Sequence, residues 1–161
     1  MASKISIIMG SQSDLGTVNE TIKVLKEFKV AFEAKVLSAH RTPKELAQYV
    51  ETASKKGAKV FVAAAGGAAA LAGVIAAHTT LPVIGIPIET SSLKGLDSLL
   101  STAQMPAGIP VACMAIGKAG AKNAGLFALA ILGSSDKKIQ SQLAAYKKGL
   151  AAKIKKIKIK V

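Results

Sequence analysis

His40 and Arg41 stand side by side in "SAHRTPKE", directly ahead of a helix start. Thr42 is placed to cap that helix, Pro43 suits its first position, and Glu45 completes the pattern of a capping box. A helix start offers free backbone N–H groups and the positive end of a dipole, so an anion is favoured beside it. Arg41 adds a planar, permanently charged fork that matches phosphate or carboxylate. His40 adds a ring that takes up or releases a proton near neutral pH. Each residue also has a plainer reading, as a solvated loop arginine and as a histidine that only hydrogen-bonds its own loop.

A second polar loop, "GSQSD", follows the first apolar run. Gly10 permits close backbone approach, Ser11 and Ser13 supply hydroxyls, and Asp14 supplies a carboxylate at a helix start. Alone, Asp14 reads as a cap, and either Ser13 or Asp14 can serve the helix that follows. With Arg41 on a neighbouring strand end, the pair gains a different sense: one residue can hold ribose hydroxyls while the other holds phosphate. Gly66 and Gly67 carry no side chain, so their backbone can approach a flat ring or a phosphate. Neither G-x-x-x-x-G-K-S/T nor a G-x-G-x-x-G after the first strand is present, which argues against a P-loop and a dinucleotide fold. No metal constellation forms, because His40 and His78 are far apart, Cys113 is alone and the carboxylates do not cluster. His78 reads as structural, and Cys113 as a small residue of a buried strand. No nucleophile elbow is present.

The elements that must position these residues alternate along the chain. Short apolar runs predict strands over 4–10, 30–37, 59–65, 81–87 and 109–116. Helical spacing predicts helices over 15–29, 42–57, 66–78, 95–103 and 117–133, with a basic amphipathic helix from Asp136 to about Lys156. Such alternation predicts an α/β fold, a flavodoxin-like three-layer sandwich with a five-stranded parallel sheet, helices on both faces and an extra C-terminal helix. Ligands in that architecture sit beyond the carboxyl ends of the strands, where the strand order switches. The polar loops all fall at those ends.

The 161 residues suit a single domain over 1–161, with a core over 1–133 and a basic helix and tail over 134–161. Half of the residues are hydrophobic but only 4% are aromatic and none is Trp, so small side chains carry the core and further surface can be buried between subunits. "MASKISIIMG" has too short an apolar stretch for a signal peptide, and no run approaches a membrane span, so no membrane partner is expected and a cytoplasmic location is. The net charge of +13 comes largely from lysines after Asp136, the last acidic residue. A basic tail binds nucleic acid nonspecifically at most, and with few aromatics to stack bases no specific nucleic acid is expected.

"MGSQSD", "SAHRTP", "AHTTLPVIGIP", "GLDSLLSTAQMPAGIPVA" and "AIGKAGAKNAG", in that order, resemble the bacterial N5-carboxyaminoimidazole ribonucleotide mutases, the PurE family of purine biosynthesis. The resemblance runs from about residue 4 to about residue 133. It implies movement of a carboxylate from N5 to C4 of an aminoimidazole ribonucleotide, without metal, biotin or ATP, in a homo-octamer with active sites near subunit contacts. It implies substrate binding by Ser11, by Asp14 through the ribose, by Ser38, and by Arg41 at the phosphate, with His40 as the acid and base. Gly66, Gly67 and position 70 belong to the same substrate-binding set. One departure stands out: the family reads "GGAAHLAG" or "GGAAHLPG" where this chain reads "GGAAALAG", with Ala70 in the histidine's place. The loss of that ring predicts impaired rather than abolished turnover, since His40 remains. The alternative is a ribonucleotide-binding homologue or mutant with little catalysis. A related class carboxylates aminoimidazole ribonucleotide directly with CO2, and its glycine-rich loop differs from the one here.

Overall fold

The computed structural model describes residues 3–159, so Lys160 of the expected basic tail lies outside the described residues. Strands β1 (Ile5–Met9), β2 (Phe32–Val36), β3 (Val60–Ala65), β4 (Val83–Pro87) and β5 (Ala112–Cys113) form one sheet in the order β2-β1-β3-β4-β5. Every pairing is parallel. The expected flavodoxin-like architecture is therefore what the chain adopts.

β1, β3 and β4 are buried almost throughout, and apolar apart from Ser6, because both of their faces are covered. Ile5, Ile7, Met9, Val60, Val62, Ala64, Ile84 and Ile86 point to one face, where helices α1 (Leu15–Glu27), α5 (Gly117–Gly133) and α6 (Lys137–Lys155) pack. Ile8, Phe61 and Ala63 point to the other, against α2 (Pro43–Lys55) and α3 (Leu71–Ala77). Helix α4 (Leu96–Ala103) joins this second layer, and Gly85 gives it room: a Cβ there would run into Thr102. Each large side chain buried in these layers contributes about 1.5–3 kcal/mol.

The small residues of α5 allow close packing. Gly120 lies on the Ala115 backbone with no space for a Cβ, and a Cβ at Gly125 would meet Val24 of α1 at 3.1 Å. Between these helices the fully buried Thr21 hydroxyl donates to the Ala121 carbonyl at 2.6 Å. Asp136, expected as the first residue of the basic helix, instead caps α6 by accepting from Lys138 N–H at 3.0 Å and Ile139 N–H at 3.2 Å.

Two elements and one residue differ from expectation. The helix expected over 66–78 begins only at Leu71, because Gly67 takes a left-handed φ of +70° and keeps the preceding residues in a loop. β5 pairs over Ala112–Cys113 alone: it is an edge strand, and the chain turns away once Met114 N–H has reached the Gly85 carbonyl. Cys113 is half-buried on that edge rather than buried. Among the described residues, no helix is long and apolar enough to cross a membrane.

Candidate active site

The chain leaves β1 for the edge strand β2 and returns to β3 on the other side, so the strand order switches between β1 and β3. A cleft of about 700 Å3 opens at that point, beyond the carboxyl ends of the strands. The loops after β1, β2, β3 and β4 supply its walls.

In the first loop, Ser11 is extended and its hydroxyl oxygen accepts from Ser13 N–H at 3.3 Å. The Asp14 carboxylate accepts from Ser11 N–H at 3.2 Å, closing a reciprocal cap on a short 3-10 turn that runs into α1. The Ser13 hydroxyl lies 2.9 Å from Ser11 Oγ and 3.3 Å from Asp14 Oδ1, and shares its proton between them. Ser11, not Ser13 or Asp14, is thus the capping residue. Asp14 is buried, and burial pushes its carboxyl above the usual aspartate range; bonds from Ser13 and Ser11 and the Arg41 charge hold it back in part.

The second loop is fixed by an exchange around Ser38. Thr42 Oγ1 accepts from Ser38 N–H at 2.9 Å and donates to the Ser38 carbonyl at 3.1 Å. This turns Thr42 back into the loop, so it makes no side-chain cap and the expected Thr42–Glu45 capping box does not form. Ser38 Oγ accepts from the Arg41 backbone N–H at 3.2 Å and from its Nε at 3.4 Å. Arg41 Nη2 donates to the Gly10 carbonyl at 2.8 Å, which ties the second loop to the end of β1. His40 is exposed on the cleft wall.

Ser11, Asp14, Ser38, His40, Arg41, Gly66 and Ala70 all line this one cleft. Gly67 does not. Its N–H donates to Ser98 Oγ at 3.0 Å, and Ser98 in turn donates to the Ile88 carbonyl at 2.7 Å, so Gly67 braces the wall from behind. The fourth loop adds Glu89, Thr90 and Ser91, which sequence reasoning passed over. Thr90 Oγ1 donates to the Asp97 carboxylate at 2.9 Å and accepts from Gly95 N–H at 3.2 Å, locking that wall onto α4. The signal that could have found them is their place directly after β4, at the carboxyl end of the sheet. His78 stands apart, in a different pocket, with Nδ1 3.8 Å from Glu51.

The cleft therefore presents a guanidinium fork, a buried carboxylate, an exposed imidazole and four serine hydroxyls to one volume. Such a set suits a small anionic ligand with hydroxyls, and a proton transfer upon it. Fold and cleft together define a flavodoxin-like α/β protein built around an anion-ready strand-end site.

Residues 4–153 match the AIR carboxylase family, and the chain belongs to that family. The match reaches well into α6, past residue 133 where the motif resemblance ends. The chain is 51% identical over 144 residues to a Vibrio parahaemolyticus protein named N5-carboxyaminoimidazole ribonucleotide mutase, covering 89% of each. It is 53% identical over 147 residues to the Pyrococcus abyssi protein of that name, covering 91% of this chain and 83% of the relative. With its Bacillus subtilis namesake it shares 53% identity over 139 residues, 86% of each chain. Among solved structures, Treponema denticola PurE superposes with a TM-score of 0.85 at 28% identity, over 93% of this chain and 92% of that one.

Proposed function

We propose that this chain is a mutase converting N5-carboxyaminoimidazole ribonucleotide to 4-carboxyaminoimidazole ribonucleotide in purine (IMP) biosynthesis. What carries the reading is the convergence of His40, Asp14 and Arg41 on one cleft, in a chain half identical to proteins of that name. Arg41 holds the phosphate through its free donors, and Asp14 accepts from the ribose hydroxyls. Ser11 and Ser38 complete the grip, and the Gly66–Ala70 loop lies along the base.

The reaction is one decarboxylation and one carboxylation. The N5–carboxyl bond breaks, CO2 leaves, and N5 takes a proton from His40. C4 then attacks the trapped CO2, and His40 recovers the proton that C4 sheds. Holding CO2 in the cleft turns a bimolecular encounter into a local one. An imidazole suits both proton transfers, because its ordinary pKa lies close to the working pH. Ala70 leaves space where the family resemblance expects a second imidazole, and turnover is reduced accordingly. The working form is a homo-octamer in the cytoplasm. Exposed Leu93, Leu96 and Leu100 around the fourth loop, at 50% exposure or more, support burial against another copy.

The test is incubation with N5-carboxyaminoimidazole ribonucleotide, followed for the 4-carboxy product. Conversion supports the mutase. Product only from aminoimidazole ribonucleotide and bicarbonate would make the chain a direct carboxylase. Binding without product would leave a ribonucleotide-binding homologue, the reading that Ala70 favours.

A further inference from the structure

Lys4, Lys26, Lys29, Lys59 and Lys138 line one concavity of about 920 Å3 at the amino ends of β1, β2 and β3. It lies at the opposite end of the sheet from the candidate active site. Among the described residues Asp136 is its one lining carboxylate: Oδ1 accepts from Lys138 and Ile139 N–H, and Oδ2 pairs with Lys4 Nζ at 3.9 Å. Helices α1 and α2 both end at this rim, and each C-terminus carries roughly half a negative charge. Those dipoles explain one or two of the lysines. Set against five lysines, Asp136 and the two helix ends leave a surplus of about three positive charges. Lys29 itself sits at φ +55°, a left-handed position after α1 that ordinarily favours glycine. Between the lysines the lining is partly apolar: half-buried Val30 and Phe32 face it, with Phe28 and Ile139 almost fully buried behind them.

Five lysines around a partly apolar hollow call for an anion that is itself part apolar. A single phosphate would leave both the surplus and the apolar lining unused. The volume falls within the range of small-ligand sites. We propose that this concavity binds a nucleoside di- or triphosphate, with the phosphates among the lysines and the base against Val30 and Phe32. The site is separate from the catalytic cleft, and the inference does not rest on the mutase reading.

The test is calorimetric titration of the full chain with ATP, ADP and inorganic tripolyphosphate. ATP is expected to bind once per chain and more tightly than tripolyphosphate, and to do so equally in Arg41→Ala, which disables the cleft. Lys26→Gln with Lys59→Gln should weaken ATP at least about tenfold, the loss expected for charged contacts. The same pair should leave the circular dichroism spectrum and the turnover without nucleotide unchanged. A charge-matched control, Lys153→Gln with Lys155→Gln, should bind as the parent does. Four results would overturn the proposal: no ATP binding, binding lost in Arg41→Ala, equal affinity for tripolyphosphate, or equal loss in the tail control.

Discussion

The Arg41 guanidinium donates to the Gly10 carbonyl at 2.8 Å, joining the loop before α2 to the end of β1. Its Nε and its backbone N–H both turn to Ser38 Oγ. One residue thus locks two loops together while keeping donors free toward the cleft. A lysine cannot do this, having one nitrogen and no fork. Arg41→Lys should raise KM about tenfold or more and lower kcat less, as read by steady-state kinetics.

Asp14 is a buried carboxylate that burial pushes above the usual range. Its charged form, which accepts from the proposed ribose hydroxyls, is lost on acidification sooner than an ordinary aspartate would allow. KM should therefore begin to rise at a higher pH than the ordinary aspartate pKa would give. For stability the sign is opposite. A carboxyl with a raised folded-state pKa stabilises the fold below its unfolded pKa, and that contribution disappears as pH rises through the folded value. Asp14→Asn should thus raise KM about tenfold, through loss of charge-assisted bonds, yet melt at a higher temperature than the parent at neutral pH.

Ala70 lines the cleft in an ordinary right-handed conformation that any side chain can adopt. Ala70→His adds a ring on the wall facing the proposed reaction centre. A second proton carrier there is worth about 10²–10⁴-fold, and kcat should rise toward that range. An unchanged kcat would show that a ring at this position plays no part here.

Tyr49 lies outside the cleft and offers a control on the fold. Its hydroxyl is bonded to the buried Ser6 Oγ at 2.7 Å and to Glu33 at 3.2 Å, and Lys35 Nζ stands 4.5 Å from its ring centroid. Burial pushes its pKa up to about 12. Tyr49→Phe leaves the Ser6 hydroxyl without this partner, so urea unfolding should show a loss of about 1–3 kcal/mol with kcat unchanged.

Much of this was legible in the sequence, because the apolar runs of β1, β3 and β4 follow directly from burial on both faces. The polar loops after β1 and β2 stood out for the same reason, since little else polar interrupts the core. What was hidden depends on contacts across the chain. Thr42 has the spacing of a cap, yet the Ser38 backbone four residues earlier captures its hydroxyl. Gly67 has the look of a ligand-facing glycine, yet Ser98, 31 residues away, takes its N–H. The length of β5 was overstated because an edge strand has one neighbour to define it, and sequence does not say where the edge falls.

The most direct measurement is the single-turnover rate of N5-carboxyaminoimidazole ribonucleotide conversion by this protein and by His40→Asn. Asparagine keeps the size and polarity of the site and removes the proton carrier. The parent should form the 4-carboxy product, and His40→Asn should bind substrate comparably while turning it over about 10²–10⁴-fold more slowly. Equal rates in the two proteins would contradict His40 as the acid and base and, with it, the catalytic account of this cleft.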